Sequence, residues 1–301
     1  MNTCPWCGQP SEKKHLRVKD YFLSQEEFDI MECETCGLLF TEPRPAPDVI
    51  GKYYQSDEYY SHQENKKGLV PKIYEAVKTL NIKNKVKMAI EGLPQGRLLD
   101  IGCGVGDFLC QVKHEGWDVV GIEPSEDAKN IAEKRLGFRP LAPSDSVTLE
   151  DHSFDVITLW HVLEHVDDLK FQTSEIHRLL KPGGRLVIAL PNFQSFDCQY
   201  FKDKWAAWDV PRHLNHFAPE TLKRMMKSLG FDHLATKKLV WDAYYISFLS
   251  ERYGGKSMPL LRGAWVGLRS NLKARRSGMY SSLVYLFGKV LFLSQNSKIQ
   301  E

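Results

Sequence analysis

A chain of 301 residues can bury a sizeable core and hold one large domain with a small companion. Its 40 Lys and Arg against 38 Asp and Glu leave a formal net charge of +2, which calls for neither nucleic acid nor a membrane surface as partner. The opening residues do not form a secretory signal, and no uncharged apolar run is long enough to cross a bilayer, so a cytoplasmic protein is expected.

Residues 1–45 contain four of the seven cysteines, as Cys4-Pro5-Trp6-Cys7-Gly8 and Cys33-Glu34-Thr35-Cys36-Gly37. Two C-x-x-C-G knuckles supply four thiolates, the donor set of a closed tetrahedral site. They predict a small zinc ribbon with Zn2+ in a structural role, held by Cys4, Cys7, Cys33 and Cys36. A redox dithiol or unpaired thiols are the alternatives. Residues 46–95 come after the breaker run Glu42-Pro43-Arg44-Pro45-Ala46-Pro47 and read as a helical lid or linker, with Asp48 as N-cap. Its tyrosines, Tyr53, Tyr54, Tyr59 and Tyr60, either close over a site or pack the ribbon against the main domain.

Residues 96–240 change character. RLLDIG, WDVVGIE, FDVITLW and GRLVIALP are short apolar runs separated by helix-length segments, the pattern of a parallel sheet covered by helices on both faces. A further strand is expected from Leu234 to Trp241. After the first run comes LDIGCGVGDF. Where a dinucleotide fingerprint would place its third glycine, this chain has Asp107, an acid at a helix N-terminus where a pyrophosphate would sit. Asp100 ends the strand before the turn, and Glu123 ends the next strand, 23 residues on. Two acids flanking the glycine turn suit a cationic ligand without phosphate, and an acid at the second strand end can accept from ribose hydroxyls. S-adenosylmethionine, or its product S-adenosylhomocysteine, fits these features.

LDIGCGVGDF, GIEPS, SFDVITLWHVLEHVDD and LLKPGGRLVIALPN together resemble the class I S-adenosylmethionine-dependent methyltransferases. The resemblance implies a Rossmann-like α/β fold whose seven-stranded sheet has an antiparallel last strand, with the cofactor over the carboxyl ends of the first, second and fourth strands. It implies cofactor contacts at Asp100, Gly102, Cys103, Gly104, Asp107 and Phe108 around the turn. Glu123 would hold the ribose, Pro124 and Ser125 the adenine edge, and Trp160 and His161 the methionine part. Asp145 or its neighbours would cover the rest of the adenine. With the ribbon and the strap GLLFTEPRPAPDVIGKYYQSDEYY in front, the chain is similar to bacterial methyltransferases of sugar and surface-polysaccharide pathways, including deoxysugar C-methyltransferases. The implied acceptor is a sugar, nucleotide-sugar or polysaccharide precursor.

Methyl transfer needs an in-line nucleophile and often a base. His165, His213 and His216 are the candidates. His165 stands four residues after His161, and VPRHLNHF carries the other two in a loop at a strand's carboxyl end. The sugar C-methyltransferases have a Glu-His pair in a similar context. His213 matches that histidine, but Arg212 stands where the glutamate would be. This departure weakens the C-methylation reading and sets O-methylation, with His213 as base, at least level with it, with Arg212 suited to a diphosphate or carboxylate.

Residues 241–301 read as a helical insertion, basic from Arg262 to Arg276, leading to the final strand at Ser281 to Phe287. For YSSLVYLFGKVLFL, peripheral membrane contact is the alternative. Competing functions are methylation of another small molecule or lipid, or a zinc-ribbon cofactor-binding protein without catalysis. No nucleic-acid partner is expected, and oligomeric state is not readable.

Overall fold

The computed structural model describes residues 2–46, 48–54 and 69–290, with side chains from residue 78 onward in the last segment. At the N-terminus, β1 (Asn2–Thr3) and β2 (Pro10–Ser11) pair around the first cysteine knuckle. β3 (Lys14–Lys19), β4 (Glu27–Glu32) and β5 (Leu39–Glu42) form an antiparallel meander, with the second knuckle between β4 and β5. The two knuckles are built alike. Gly8 N–H donates to the Cys4 carbonyl at 3.0 Å, and Gly37 N–H to that of Cys33 at 2.7 Å.

The lid region departs from a continuous helix starting at Asp48. A 3-10 helix spans Ile50–Tyr54 and buries Tyr53. Helix α1 (Leu69–Ile90) comes next, and Tyr59 and Tyr60 lie outside the described residues. Gly51, a poor helix former, sits inside the short first element.

The main sheet begins with β6 (Arg97–Ile101), α2 (Asp107–His114), β7 (Asp118–Ile122), α3 (Glu126–Leu136) and β8 (Phe154–Trp160). It continues through α4 (Leu169–Leu179), β9 (Leu180–Pro191) and α5 (Phe196–Phe201). The short β10 (Asn215–His216), α6 (Pro219–Ser228) and β11 (Phe231–Lys238) come after these. Then α7 (Asp242–Tyr253), α8 (Pro259–Ser277) and β12 (Ser282–Lys289) complete it. The order is β11-β12-β9-β8-β6-β7, with only β12 running against its neighbours. The apolar β6 and β8, and the Leu186–Leu190 part of β9, are nearly fully buried because helices cover both faces.

The described sheet has six strands against the seven expected. The missing edge strand is reduced to one parallel bridge, Ile122 to Leu141. Pro140 and Pro143 flank Leu141 and lack the N–H groups that would extend the ladder. The strand expected from Leu234 to Trp241 begins earlier, at Phe231. Within the segment offered either as a strand or as a membrane surface, Ser282–Lys289 form β12, a buried central strand between β9 and β11, and residues 291–293 lie outside the described residues. Among the described residues no helix is long and apolar enough to cross a membrane.

Two contacts outside the main ladder position the site. β10 pairs with β5, Asn215 opposite Phe40 and His216 opposite Leu39, so the N-terminal sheet runs β10-β5-β4-β3 and shares a strand with the second half of the chain. Cys4, Met31, Cys33 and Phe40 lie in the same apolar core as Ile101, Ile157 and Ile188 of the main sheet. On the other side, α7 and α8 form a tight hairpin. A Cβ at Gly263 would stand 2.6 Å from the Phe248 Cα, so only glycine permits that approach. The basic stretch lies on α8, where Arg262 pairs with Glu251 of α7 at 3.1 Å.

Asp197 ties this hairpin to the sheet. It is fully buried and accepts from Trp205 Nε1 at 2.7 Å and from the Ser270 and Ser281 hydroxyls, each at 2.6 Å. Asp197→Ala leaves three donors in a dry interior without an acceptor. It is expected to cost about 3–5 kcal/mol in urea unfolding, far more than Asp232→Ala at the surface.

Candidate active site

The turn after β6 passes through Gly102 and Gly104, both left-handed, with φ +73° and +54°. A Cβ at Gly102 would lie 2.4 Å from a Val162 methyl, whereas one at Gly104 would meet nothing within 4 Å. Backbone at Gly104 therefore borders open space, as close approach by a ligand requires. Glu123, just past β7, accepts the Gly104 N–H at 2.8 Å and the Ser125 N–H at 2.9 Å. A carboxylate has about four lone-pair sites, so acceptor capacity is left for ribose hydroxyls.

Asp100 is buried and accepts the Thr158 hydroxyl at 2.6 Å, a bond set by the β6–β8 register. Burial pushes its carboxyl up to about 7, against the opposing effects of Thr158 and Lys85. A cation placed beside it would favour the ionised form.

The other residues around the turn divide. Asp107 is held by Arg135 at 2.6 Å and Lys78 at 2.7 Å. Phe108 packs edge-on to Trp160 at 5.4 Å, and Cys103 is buried, its thiol pushed up by burial. Pro124 and Ser125 lead into α3, whose first turn is capped by the Ser125 hydroxyl. The Asp145 carboxylate accepts from the Ala142 N–H at 3.0 Å, within its own turn.

At the end of β8, Trp160 is buried with its Nε1 lacking a hydrogen-bond partner, and the Lys85 ammonium lies 4.9 Å from its ring centre. His161 holds φ +60°, costly for a residue with a Cβ. Its ring bridges two acids, Nε2 to Asp242 at 3.1 Å and Nδ1 to Glu164 at 3.4 Å. Burial alone would lower its pKa, but these two carboxylates raise it to about 9. Burial disfavours the Glu164 anion, yet His161, His213 and His165 hold its carboxyl below the usual value.

Beyond His161 opens a cavity of about 430 Å³. Tyr245, Ile246 and Leu249 of α7 contribute an apolar wall, while Lys85, His161, His213 and Asp242 supply polar groups. His165 and His213 stand edge to face, ring centres 4.6 Å apart. Burial and His213 push His165 down to about 4. His165 lies in a 3-10 helix, Leu163–His165, rather than one α-helical turn beyond His161. His216 lies behind these two in β10, its Nε2 3.0 Å from the Thr41 hydroxyl. It does not line the main cavity.

Arg212 corrects the expectation of a free anion receptor. It is buried, and its guanidinium meets Asp209 at 2.7 Å, Asp20 at 2.9 Å and the Tyr53 carbonyl at 3.0 Å. Two carboxylates already neutralise it, and Asp20 comes from the N-terminal meander. Sequence reading missed Asp20, Lys85, Glu164, Asp209 and Asp242. Glu164 and Asp209 carried a local signal, three residues from His161 and from Arg212.

In the N-terminal segment, Cys4 Sγ lies 3.6 Å from Cys36 Sγ, and Cys7 Sγ 3.5 Å from Cys33 Sγ. All four sulfurs are within 4.8 Å of one another. A zinc ion with bonds of about 2.3 Å sets tetrahedral sulfurs roughly 3.8 Å apart, so this donor set fits zinc.

A family model described as a methyltransferase domain matches residues 74–236. The chain belongs to this methyltransferase-domain family and is an S-adenosylmethionine-dependent methyltransferase. It is 26% identical to a ubiquinone biosynthesis O-methyltransferase of Alkalilimnicola ehrlichii, over 55% of this chain and 76% of that one. It is 29% identical to a demethylmenaquinone methyltransferase of Staphylococcus aureus, over 45% and 67%. Geranyl diphosphate C-methyltransferase from Streptomyces coelicolor shares the fold at 17% identity and a TM-score of 0.50, over 69% of this chain and 80% of that one.

The Asp20–Arg212 pair generates a pH prediction. Burial raises the Asp20 carboxyl and Arg212 more than reverses this, so its native pKa lies below the ordinary value. The pair's contribution is then complete above about pH 4 and is lost as pH falls through the lowered native value. At pH 7, Asp20→Asn leaves a buried guanidinium half-paired and is expected to cost about 3–5 kcal/mol. Urea titrations at stepped pH should show that gap between wild type and variant narrowing below pH 4.

Proposed function

We propose that this enzyme methylates a hydroxyl oxygen on a small ring-bearing acceptor bound between α7 and the His161–His213 side of the cavity. The observation that carries the reading is the cavity's two-sided character. Tyr245, Ile246 and Leu249 suit the flat apolar face of a ring, while the opposite side carries the titratable groups. The name of the ubiquinone biosynthesis O-methyltransferase supports oxygen as the acceptor atom, and the names of both quinone-pathway relatives support a ring-bearing acceptor. The nucleotide-sugar reading suggested by the sequence relied on Arg212 to hold a diphosphate, and Arg212 is already neutralised by Asp20 and Asp209.

In this reading Glu123 holds the cofactor's ribose, the Gly102–Gly104 backbone its amino-acid end, and Asp100 its positive charge. The bound cofactor supplies an electrophilic methyl group on a sulfonium. The protein aligns the acceptor oxygen, excludes water with the Phe22, Ala206 and Ile246 walls, and presents His213 to the acceptor hydroxyl. Trials with hydroxylated aromatic acceptors should yield a methyl ether, detected by mass spectrometry. His213→Ala should keep S-adenosylmethionine affinity by calorimetry while turnover falls about 10²-fold or more. Activity on sugars alone would refute the acceptor class, and unchanged turnover would remove His213.

Cys4, Cys7, Cys33 and Cys36 are proposed to hold a structural zinc ion that stabilises the ribbon against the main sheet. Cobalt-substituted protein is expected to show an intense thiolate charge-transfer band that Cys33→Ser weakens or loses. The same variant should melt earlier, because the knuckles have little core of their own. An unchanged band and melting curve would show that Cys33 is not a ligand.

A further inference from the structure

A second cluster of metal-type donors lies apart from the cysteines. One donor atom each from Glu164, His165 and His213 fall within 4.8 Å of one another. Glu164 is 1% exposed, and neither of its carboxylate oxygens has a hydrogen-bond partner. A dry carboxylate in that condition is costly, and native interiors rarely leave one so. His161 stands 3.4 Å away as a counter-charge but outside hydrogen-bonding geometry.

The two imidazoles are held from behind. His213 Nδ1 lies 2.9 Å from the Ala207 carbonyl, and His165 Nδ1 lies 2.9 Å from the Arg212 carbonyl and 3.0 Å from the Tyr54 hydroxyl. A backbone carbonyl at Nδ1 fixes the proton there and presents Nε2 as a lone pair, the arrangement of metal-bound histidines. His213 Nε2 has Asp209 Oδ2 at 3.9 Å, and among the described residues neither Nε2 donates or accepts a hydrogen bond. Two oriented imidazoles and one bare carboxylate form a donor set for a divalent transition ion, with positions left open. Because His213 also lines the acceptor cavity, those positions would be reached from there.

We propose that Glu164, His165 and His213 form a divalent metal centre at the inner end of the acceptor cavity, with its open positions turned toward the acceptor oxygen. The centre deepens the proposed O-methylation but can be tested without cofactor or acceptor. Its role is that of a Lewis acid with no change of oxidation state. The acceptor O–H and the donor S–CH3 bonds break, a C–O bond forms, the proton leaves to water, and the sulfonium departs as the neutral thioether S-adenosylhomocysteine. An ion there makes the acceptor oxygen a better nucleophile near neutral pH, and His213 acts as ligand instead of as free base.

The test uses full-length protein dialysed against chelator and titrated with manganese(II), read by loss of the free-ion resonance signal. Wild type is expected to bind one equivalent at the histidine site, and Glu164→Gln and His213→Ala to bind at least tenfold more weakly. Glu164→Gln removes a buried charge that has no hydrogen-bond partner at nearly constant shape, and His161 keeps Asp242, so it should fold, as circular dichroism would confirm. His165→Ala serves as the second variant if it does not. Cobalt(II) separates the two candidate sites: Glu164→Gln should lose weak nitrogen–oxygen bands and keep the thiolate band. Equal manganese affinity in wild type and folded Glu164→Gln, or cobalt spectra from thiolates alone, would overturn the metal centre and leave Glu164 as the partner of His161. Binding that survives while no hydroxylated ring is methylated would refute the acceptor reading only.

Discussion

The buried guanidinium of Arg212 would be intolerable in this interior without Asp20 and Asp209 against it, and much of the site is arranged around meeting that demand. Asp209 is local to Arg212, but Asp20 must be delivered by the N-terminal meander. Once it is, the Tyr53 carbonyl arrives with it, and the Arg212 carbonyl is left to fix His165. One charge requirement thus joins the ribbon, the cavity wall and the orientation of a histidine.

The same rule of paired charges governs the rest of the cavity. His161 sits between Asp242 and Glu164, Lys85 between Trp160 and the field of Asp242 and Asp100, and Asp107 between Arg135 and Lys78. Asp100 is the exception that makes binding favourable. It is buried, has a single neutral hydroxyl donor, and gains most from a ligand that carries positive charge. The apolar face of α7 lines the cavity, held by the glycine-permitted contact with α8.

What could be read from the sequence was what is local in it. The glycine turn, the acid at the next strand end, the cysteine knuckles and the alternation of strands and helices each depend on neighbouring residues. Glu164, Asp242, Lys85 and Asp20 take their meaning from partners brought in by distant segments. Arg212 shows the cost of reading locally: as a free cation it suggested a phosphate, and a carboxylate 192 positions away removes that reading. The shortened edge strand had a visible cause in Pro140 and Pro143, but pattern alone does not weigh two prolines against a family's strand count.

The pairing of β5 with β10 sets the order in which the chain can be completed. Thr41 donates its backbone N–H to the Leu214 carbonyl and its hydroxyl to that of His213, so residues made first wait for residues made some 170 positions later. During synthesis the cysteine meander emerges with the apolar face of Phe40 bare, at a stage when neither the main sheet nor β10 exists to cover it. Until then the pairing of β3 with β4 and of β4 with β5 keeps that meander in register. On this view the ribbon serves the nascent chain as a placeholder, holding one wall of the active site ready for strands not yet translated.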